Sequence, residues 1–203
     1  MEPFTKVTGI VAAFDRVNID TDAIVPARFL KRIERGGWGD YLFFDWRFLP
    51  DGRPNPEFIL NQPGYKDASI LVVGRNFGSG SSREHAVWAI AQYGIRAIIA
   101  HRVADIFQKN SFENGLVPVL LPEDQIEAIM SRAQSTPGYR ISVDLERCEV
   151  WDENGFRAPF VVHTDPGTHE FRRSCLLVGR DEIALTMEQE NRIEAFEATR
   201  TSG

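Results

Sequence analysis

Between Ser69 and Ala100 the sequence spells out a strand, a glycine-rich loop, a helix and a second strand, and no other stretch restricts the fold so much. Ser69-Ile70-Leu71-Val72-Val73 is short, continuous and β-branched, the pattern of a strand covered on both faces. Ala86, Val87, Ala89, Ile90 and Tyr93 recur at helical spacing before Gly94, a C-terminal stop, and Arg96-Ala97-Ile98-Ile99-Ala100 returns as a strand. A strand, a helix and a strand in that order make a βαβ unit, whose strands run parallel. The connecting loop then lies at the carboxyl end of a strand and the amino end of a helix. Free backbone N–H groups and the positive end of the helix dipole favour an anion there.

The loop is equipped for that task. Gly78 and Gly80 allow close backbone approach, Ser79, Ser81 and Ser82 offer hydroxyls, and Arg83 offers a planar fork suited to a carboxylate or phosphate. Part of the pattern has a purely structural explanation, because Ser81-Ser82-Arg83-Glu84 fits a capping box with Ser81 as N-cap and Glu84 reaching back. A capping box does not account for two glycines, three serines and a guanidinium together. Three better-known loops are excluded: the dinucleotide fingerprint needs glycine where Arg83 stands, the P-loop needs Gly-Lys-Ser/Thr, and the nucleophile elbow needs Gly-x-Ser-x-Gly.

The stretch Gly74-Arg75-Asn76-Phe77-Gly78-Ser79-Gly80-Ser81-Ser82-Arg83-Glu84-His85-Ala86 resembles the signature of the swivel domain of the aconitase superfamily, and within it the small subunits of bacterial 3-isopropylmalate dehydratases. The resemblance extends over residues 1–200, which it implies to be a single domain, a βαβ core with a mixed, largely parallel sheet or barrel and flanking helices. It also covers Asp20-Thr21-Asp22-Ala23-Ile24-Val25-Pro26, where local chemistry alone gives an Asx-type turn. By the resemblance Asp20 and Asp22 lie close to substrate, and Arg28 is a second carboxylate ligand. Two departures bear on the substrate: His101-Arg102-Val103 stands where relatives often have Pro-Ser-Phe, and the position of Ser79 is often cysteine. Arg102 is thereby an extra cation expected beside the pocket.

The activity implied is isomerisation of 2-isopropylmalate to 3-isopropylmalate, in leucine biosynthesis, by removing and re-adding water. Ser81 is the implied base, Arg83 the clamp on the substrate carboxylate, and Gly78, Ser79, Gly80 and Ser82 line the site. Glu84 and His85 are support residues, with His85, able to titrate near neutrality, the rival base. Small subunits of related hydratases acting on homoaconitate, citraconate or dimethylmalate share the pattern. A stand-alone anion- or nucleotide-binding module is the reading from another class. The resemblance places a [4Fe–4S] cluster on a large partner subunit. Cys148 and Cys175 are too few to hold such a cluster and read as small buried side chains.

The remaining composition narrows the setting. A net charge of −6 argues against a nucleic-acid partner, and no apolar run reaches membrane-spanning length, so a cytoplasmic protein is expected. Residues 31–66 mix Gly and Pro with Trp38, Tyr41, Phe43, Phe44, Trp46 and Phe48, a long aromatic loop that is either a lid or partner surface or ordinary packing. Thr5–Phe14 and Leu116–Leu121 read as strands, the latter at an edge because of Pro118. Ala104–Phe112 and residues 122–134 read as helices. Arg140–Trp151 alternates as one half-exposed strand, Asp152-Glu153-Asn154-Gly155 as a hairpin turn, and Phe156–His163 as its return. Glu170–Leu177 and Glu188–Arg200 read as the last two helices.

Overall fold

The computed structural model describes residues 1–180. Its βαβ unit is the one the sequence spells: β2 (Ala68–Val73), α3 (Glu84–Tyr93) and β3 (Ala97–Ala100), with β2 and β3 parallel and Gly94 in the left-handed conformation ending the helix. Parallel pairing extends to β1 (Lys6–Phe14) on one side and to β4 (Val117–Leu120) on the other. Beyond β1 the direction reverses, and β5 (Arg140–Asp144), β6 (Glu149–Trp151) and β7 (Arg157–Pro159) pair antiparallel. The seven-stranded order is β4-β3-β2-β1-β5-β6-β7, a mixed sheet whose parallel half ends at β1. It curls until its edges meet, where Leu120 donates its N–H to the Val161 carbonyl at 2.8 Å.

Two apolar layers close the faces. On one, α3 and the aromatic segment bury Phe14, Leu71, Val73, Trp38, Leu42 and Phe43. On the other, α5 (Glu123–Ser135) and α6 (Pro166–Val178) cover Val11, Ile70, Val72, Ile99 and Val143. The strands of the βαβ unit are apolar throughout because both of their faces are covered. Residues 31–66 form single turns, among them Trp38–Tyr41 and α2 (Phe44–Arg47), around a chain of ring contacts that runs from Phe14 through Phe43 to Trp46. Trp38, Leu42 and Phe43 are completely buried.

Pro118 lies in β4, at one end of the strand order, where the proline's missing N–H costs no ladder bond, and α4 (Asp105–Glu113) precedes it. The single strand expected over 140–151 is two strands. Asp144 accepts the Arg147 N–H at 2.9 Å, and Cys148 takes a left-handed φ of 52°, so the chain reverses without glycine. The next reversal follows expectation, with Gly155 at φ 90° and Asp152 accepting from the N–H groups of Asn154 and Phe156. The helix at the end of the described chain is longer than Glu170–Leu177, because Asp165 caps it and Pro166 occupies its first turn. The helix expected at Glu188–Arg200 lies outside the described residues.

Candidate active site

At the carboxyl ends of β1, β2 and β3 the connecting loops continue the sheet as irregular backbone. Asn18 donates its N–H to the Arg75 carbonyl at 2.9 Å, Gly78 to Ile19 at 2.7 Å, and Thr21 to Ser79 at 2.9 Å. On the opposite side Ala104 donates to the Phe77 carbonyl at 3.0 Å. The glycine–serine loop is thus held between the other two, where parallel α/β sheets place their ligands. Asn18 and Asn76 both take left-handed conformations, and the Asn76 amide donates to the Asn18 side chain at 2.9 Å.

The two motifs that the sequence sets apart are therefore brought together. Asp20 caps α1 (Thr21–Ile24), accepting the Ala23 N–H at 2.7 Å, so the Asx-type local role is real. Asp22 faces the loop: its Oδ1 accepts from the Arg83 guanidinium at 2.7 Å and from the Ala27 N–H at 2.8 Å. The Arg83 hydrogen bond, followed by that of Ala27, holds the Asp22 carboxyl below the usual carboxylate range. The Arg83 side chain is 22% exposed and that of Asp22 58%.

Several expectations for the loop need correction. Helix α3 begins at Glu84 with Arg83 in the capping position and no side-chain cap, so the capping box does not form. Ser81 instead gives its carbonyl to the Arg83 N–H at 2.7 Å and to the Thr21 hydroxyl at 3.1 Å, while Glu84 accepts from Asn114 of the α4 terminus at 2.9 Å. Gly78 is buried with its N–H occupied, and a Cβ there would stand 2.3 Å from the Phe107 ring. Packing against α4 alone therefore requires glycine here. Gly80, with φ 95°, faces Asp20 and Thr21. Among the described residues the hydroxyls of Ser79, Ser81 and Ser82 and the N–H groups of Gly80, Ser81 and Ser82 have no hydrogen-bond partner. Ser81 and Ser82 are exposed.

His85 lies edge-to-face against Trp38 and Trp88, with ring centroids 4.6 and 4.8 Å away. Burial between these rings pushes its pKa below the ordinary histidine value and favours the neutral imidazole. Arg28 is paired within the chain: its terminal nitrogens both donate to Asp45, one at 2.9 Å, and its guanidinium lies over Phe29 and Phe44. Arg102 pairs with Asp105 at 3.1 Å and lines a cleft of about 890 Å³ with Arg75, Asn76, His101 and Glu123. That cleft borders the asparagine end of the loop rather than its serines. The contacts of Asp45 with Arg28 and of Trp38 with His85 have no local sequence signal, since tertiary packing sets the position of the aromatic segment over the loop. Among the described residues no group of three or more His, Cys, Asp or Glu is placed to hold a metal.

A crystal structure of a 3-isopropylmalate dehydratase from Methanocaldococcus jannaschii matches with a TM-score of 0.64 at 23% identity, covering 95% of this chain and 99% of that one. The family profile described as Aconitase C-terminal domain matches residues 1–124. Fold and profile define the class, an α/β swivel domain of the aconitase type. Two further profiles match: LeuD_N over residues 127–163, and the C-terminal domain of the 3-isopropylmalate dehydratase small subunit over residues 182–202. The 3-isopropylmalate dehydratase small subunit of Brevibacillus brevis is 50% identical over 98% of this chain and 100% of its own length. That of Albidiferax ferrireducens is 49% identical over 98% of this chain and 94% of its own. The chain belongs to the family of 3-isopropylmalate dehydratase small subunits.

Proposed function

We propose that the chain, with residues 1–200 as one swivel-type domain, contributes half of the active site of a heteromeric hydro-lyase that converts 2-isopropylmalate to 3-isopropylmalate in the cytoplasm, for leucine biosynthesis. One observation carries this: the unpaired hydroxyls of Ser79, Ser81 and Ser82 and the unpaired N–H groups of Gly80, Ser81 and Ser82 lie beside an arginine that a single carboxylate, Asp22, already holds in place. A substrate carboxylate bound there meets donors fixed before it arrives.

The difficult step is removal of a proton from the carbon next to a carboxylate, because the developing aci-carboxylate gains negative charge. Fixed donors aimed at that carboxylate stabilise the charge where it forms. Arg83 and the N–H groups of Gly80, Ser81 and Ser82 supply them. Ser81 takes the proton: it is exposed, and with no capping box its hydroxyl has no competing duty. Serine is a very weak acid, so the same donors must also hold its oxygen in a basic form. His85 orients the loop from between its two tryptophans, and its lowered pKa makes it the second candidate base.

The resemblance assigns an iron–sulfur cluster to the large partner subunit. The described residues of this chain do not fit such a group, and none of the steps above passes through it. The loop's openness to solvent agrees with a site completed by that partner.

Anaerobic reconstitution with the large subunit tests the proposal. Ser81→Ala should lower kcat by at least ~100-fold, and Arg83→Lys, which keeps the charge and loses the fork, should raise KM and lower kcat/KM by ~10-fold or more. Full turnover in Ser81→Ala with loss in His85→Gln would transfer the base role to His85.

A further inference from the structure

We infer that Asp45 is a specificity-determining residue: by closing the fork of Arg28 it turns a carboxylate-binding position into a neutral, ring-backed wall suited to the alkyl substituent of a hydroxy-diacid. The inference rests on the proposed substrate position beside Arg83.

Arg28 belongs to the same charged row as the site. Asp45, Arg28, Asp22 and Arg83 alternate in sign: Asp45 pairs with Arg28, Asp22 with Arg83, and the Asp22 carboxyl responds to both arginines. An arginine with a free fork beside a hydroxy-diacid site invites another carboxylate. Arg28 has no free fork, because both its terminal nitrogens donate to the two oxygens of Asp45. A substrate carboxylate arriving there would displace Asp45 or face its negative charge, and either lowers affinity.

The pair is also built to stay. Asp45 sits on α2, whose position is fixed from three directions. Phe43, at a left-handed φ of 48°, donates its N–H to the Ile24 carbonyl at 2.7 Å. Arg47 donates to the carbonyls of Gly39 and Leu42, and Asn61 to that of Arg47. The Arg28 guanidinium rests 4.6 Å from the Phe29 centroid and 5.5 Å from that of Phe44, and these rings contact each other edge-on at 4.8 Å. The result is a charge-neutral pair on an aromatic platform. A branched alkyl group can lie against it without stripping water from an unpaired ion.

The test uses the reconstituted enzyme and two competitive inhibitors, isopropylsuccinate and propane-1,2,3-tricarboxylate, which place an alkyl group or a third carboxylate at this position. In Asp45→Asn and Asp45→Ala the ratio of inhibition constants should shift toward the tricarboxylate by about tenfold. The double variant Arg28→Gln/Asp45→Asn should return it to the wild-type value, because the freed cation is gone. A ratio within about twofold of wild type in both single variants overturns the inference. So does a shift that persists in the double variant. Both side chains are about half exposed, so the substitutions should leave the fold intact, which circular dichroism verifies. Failure here with Ser81→Ala still inactive rejects only the role of Asp45. Full turnover in Ser81→Ala and Arg83→Lys rejects the proposed site itself.

Discussion

Asp152, under the antiparallel half of the sheet, and Asp22, at the carboxyl ends of the parallel half, are each paired with an arginine, and there the likeness stops. The Asp152 side chain is fully enclosed and accepts from the Tyr139 hydroxyl at 2.7 Å, Arg132 at 2.9 Å and two backbone N–H groups at 2.8 Å. Burial raises its pKa, but those donors more than offset this, and the net value lies below the usual range. Asp22 is more than half exposed and holds Arg83 by one terminal nitrogen. Where polar groups are saturated, they join strands; where donors are left over beside a lightly held ion pair, a ligand can enter.

Substitutions at the two carboxylates should separate these roles. Of the two, Asp152→Ala should have the larger effect on stability, because it leaves the Tyr139 hydroxyl and two N–H groups unpaired and should cost ~3 kcal/mol in urea unfolding. Turnover per folded subunit of the reconstituted enzyme should change by less than about twofold. The lowered carboxyl pKa contributes stability that is present above the unfolded value of about 3.9 and is lost as pH falls through the folded one. Asp152→Asn should therefore flatten the acid limb of the stability curve. If Asp152→Ala abolishes turnover while stability holds, the contrast fails.

Asp22→Asn should do the reverse, costing less than about 1 kcal/mol in the same unfolding measurement and lowering kcat/KM by about tenfold as Arg83 loses its orientation. A stability loss as large as that of Asp152→Ala would make the pair structural.

The smallest effect concerns His85. Its NMR titration midpoint should lie below about 6.5, and Trp38→Ala, by admitting water, should move it upward. With the folded value lowered, the associated stability is complete above about 6.5 and declines as pH falls toward the folded midpoint. A midpoint unmoved by Trp38→Ala would mean that the tryptophan does not shape this environment.

How far the sequence could be read follows the range of the interactions involved. The βαβ unit was legible because strand, loop and helix are set by neighbours: the Val72-Val73 run, Gly94 as a stop, the returning Ile98-Ile99. The Asp152–Gly155 turn was legible for the same reason. The reversal at Leu145–Cys148 was hidden because Cys148 takes the left-handed region without the glycine that usually marks it. The capping box failed although its letters are correct, since Glu84 finds Asn114 on another helix and α3 starts later. The pairing of Arg28 with Asp45 was hidden because the two lie 17 residues apart. Each of these hidden features involves a distant partner or an unmarked backbone conformation.

The contact between Leu120 and Val161 reaches beyond this fold to its neighbours in solution. Open sheets present a row of unpaired N–H and carbonyl groups on which another chain can lay down a strand. Here Leu120, the last residue of β4, is already paired with Val161 just beyond β7, and Pro118 of the same strand has no N–H to offer, so this edge has little left for an incoming strand. In the folded protein this closure works against edge-to-edge pairing of identical copies along β4.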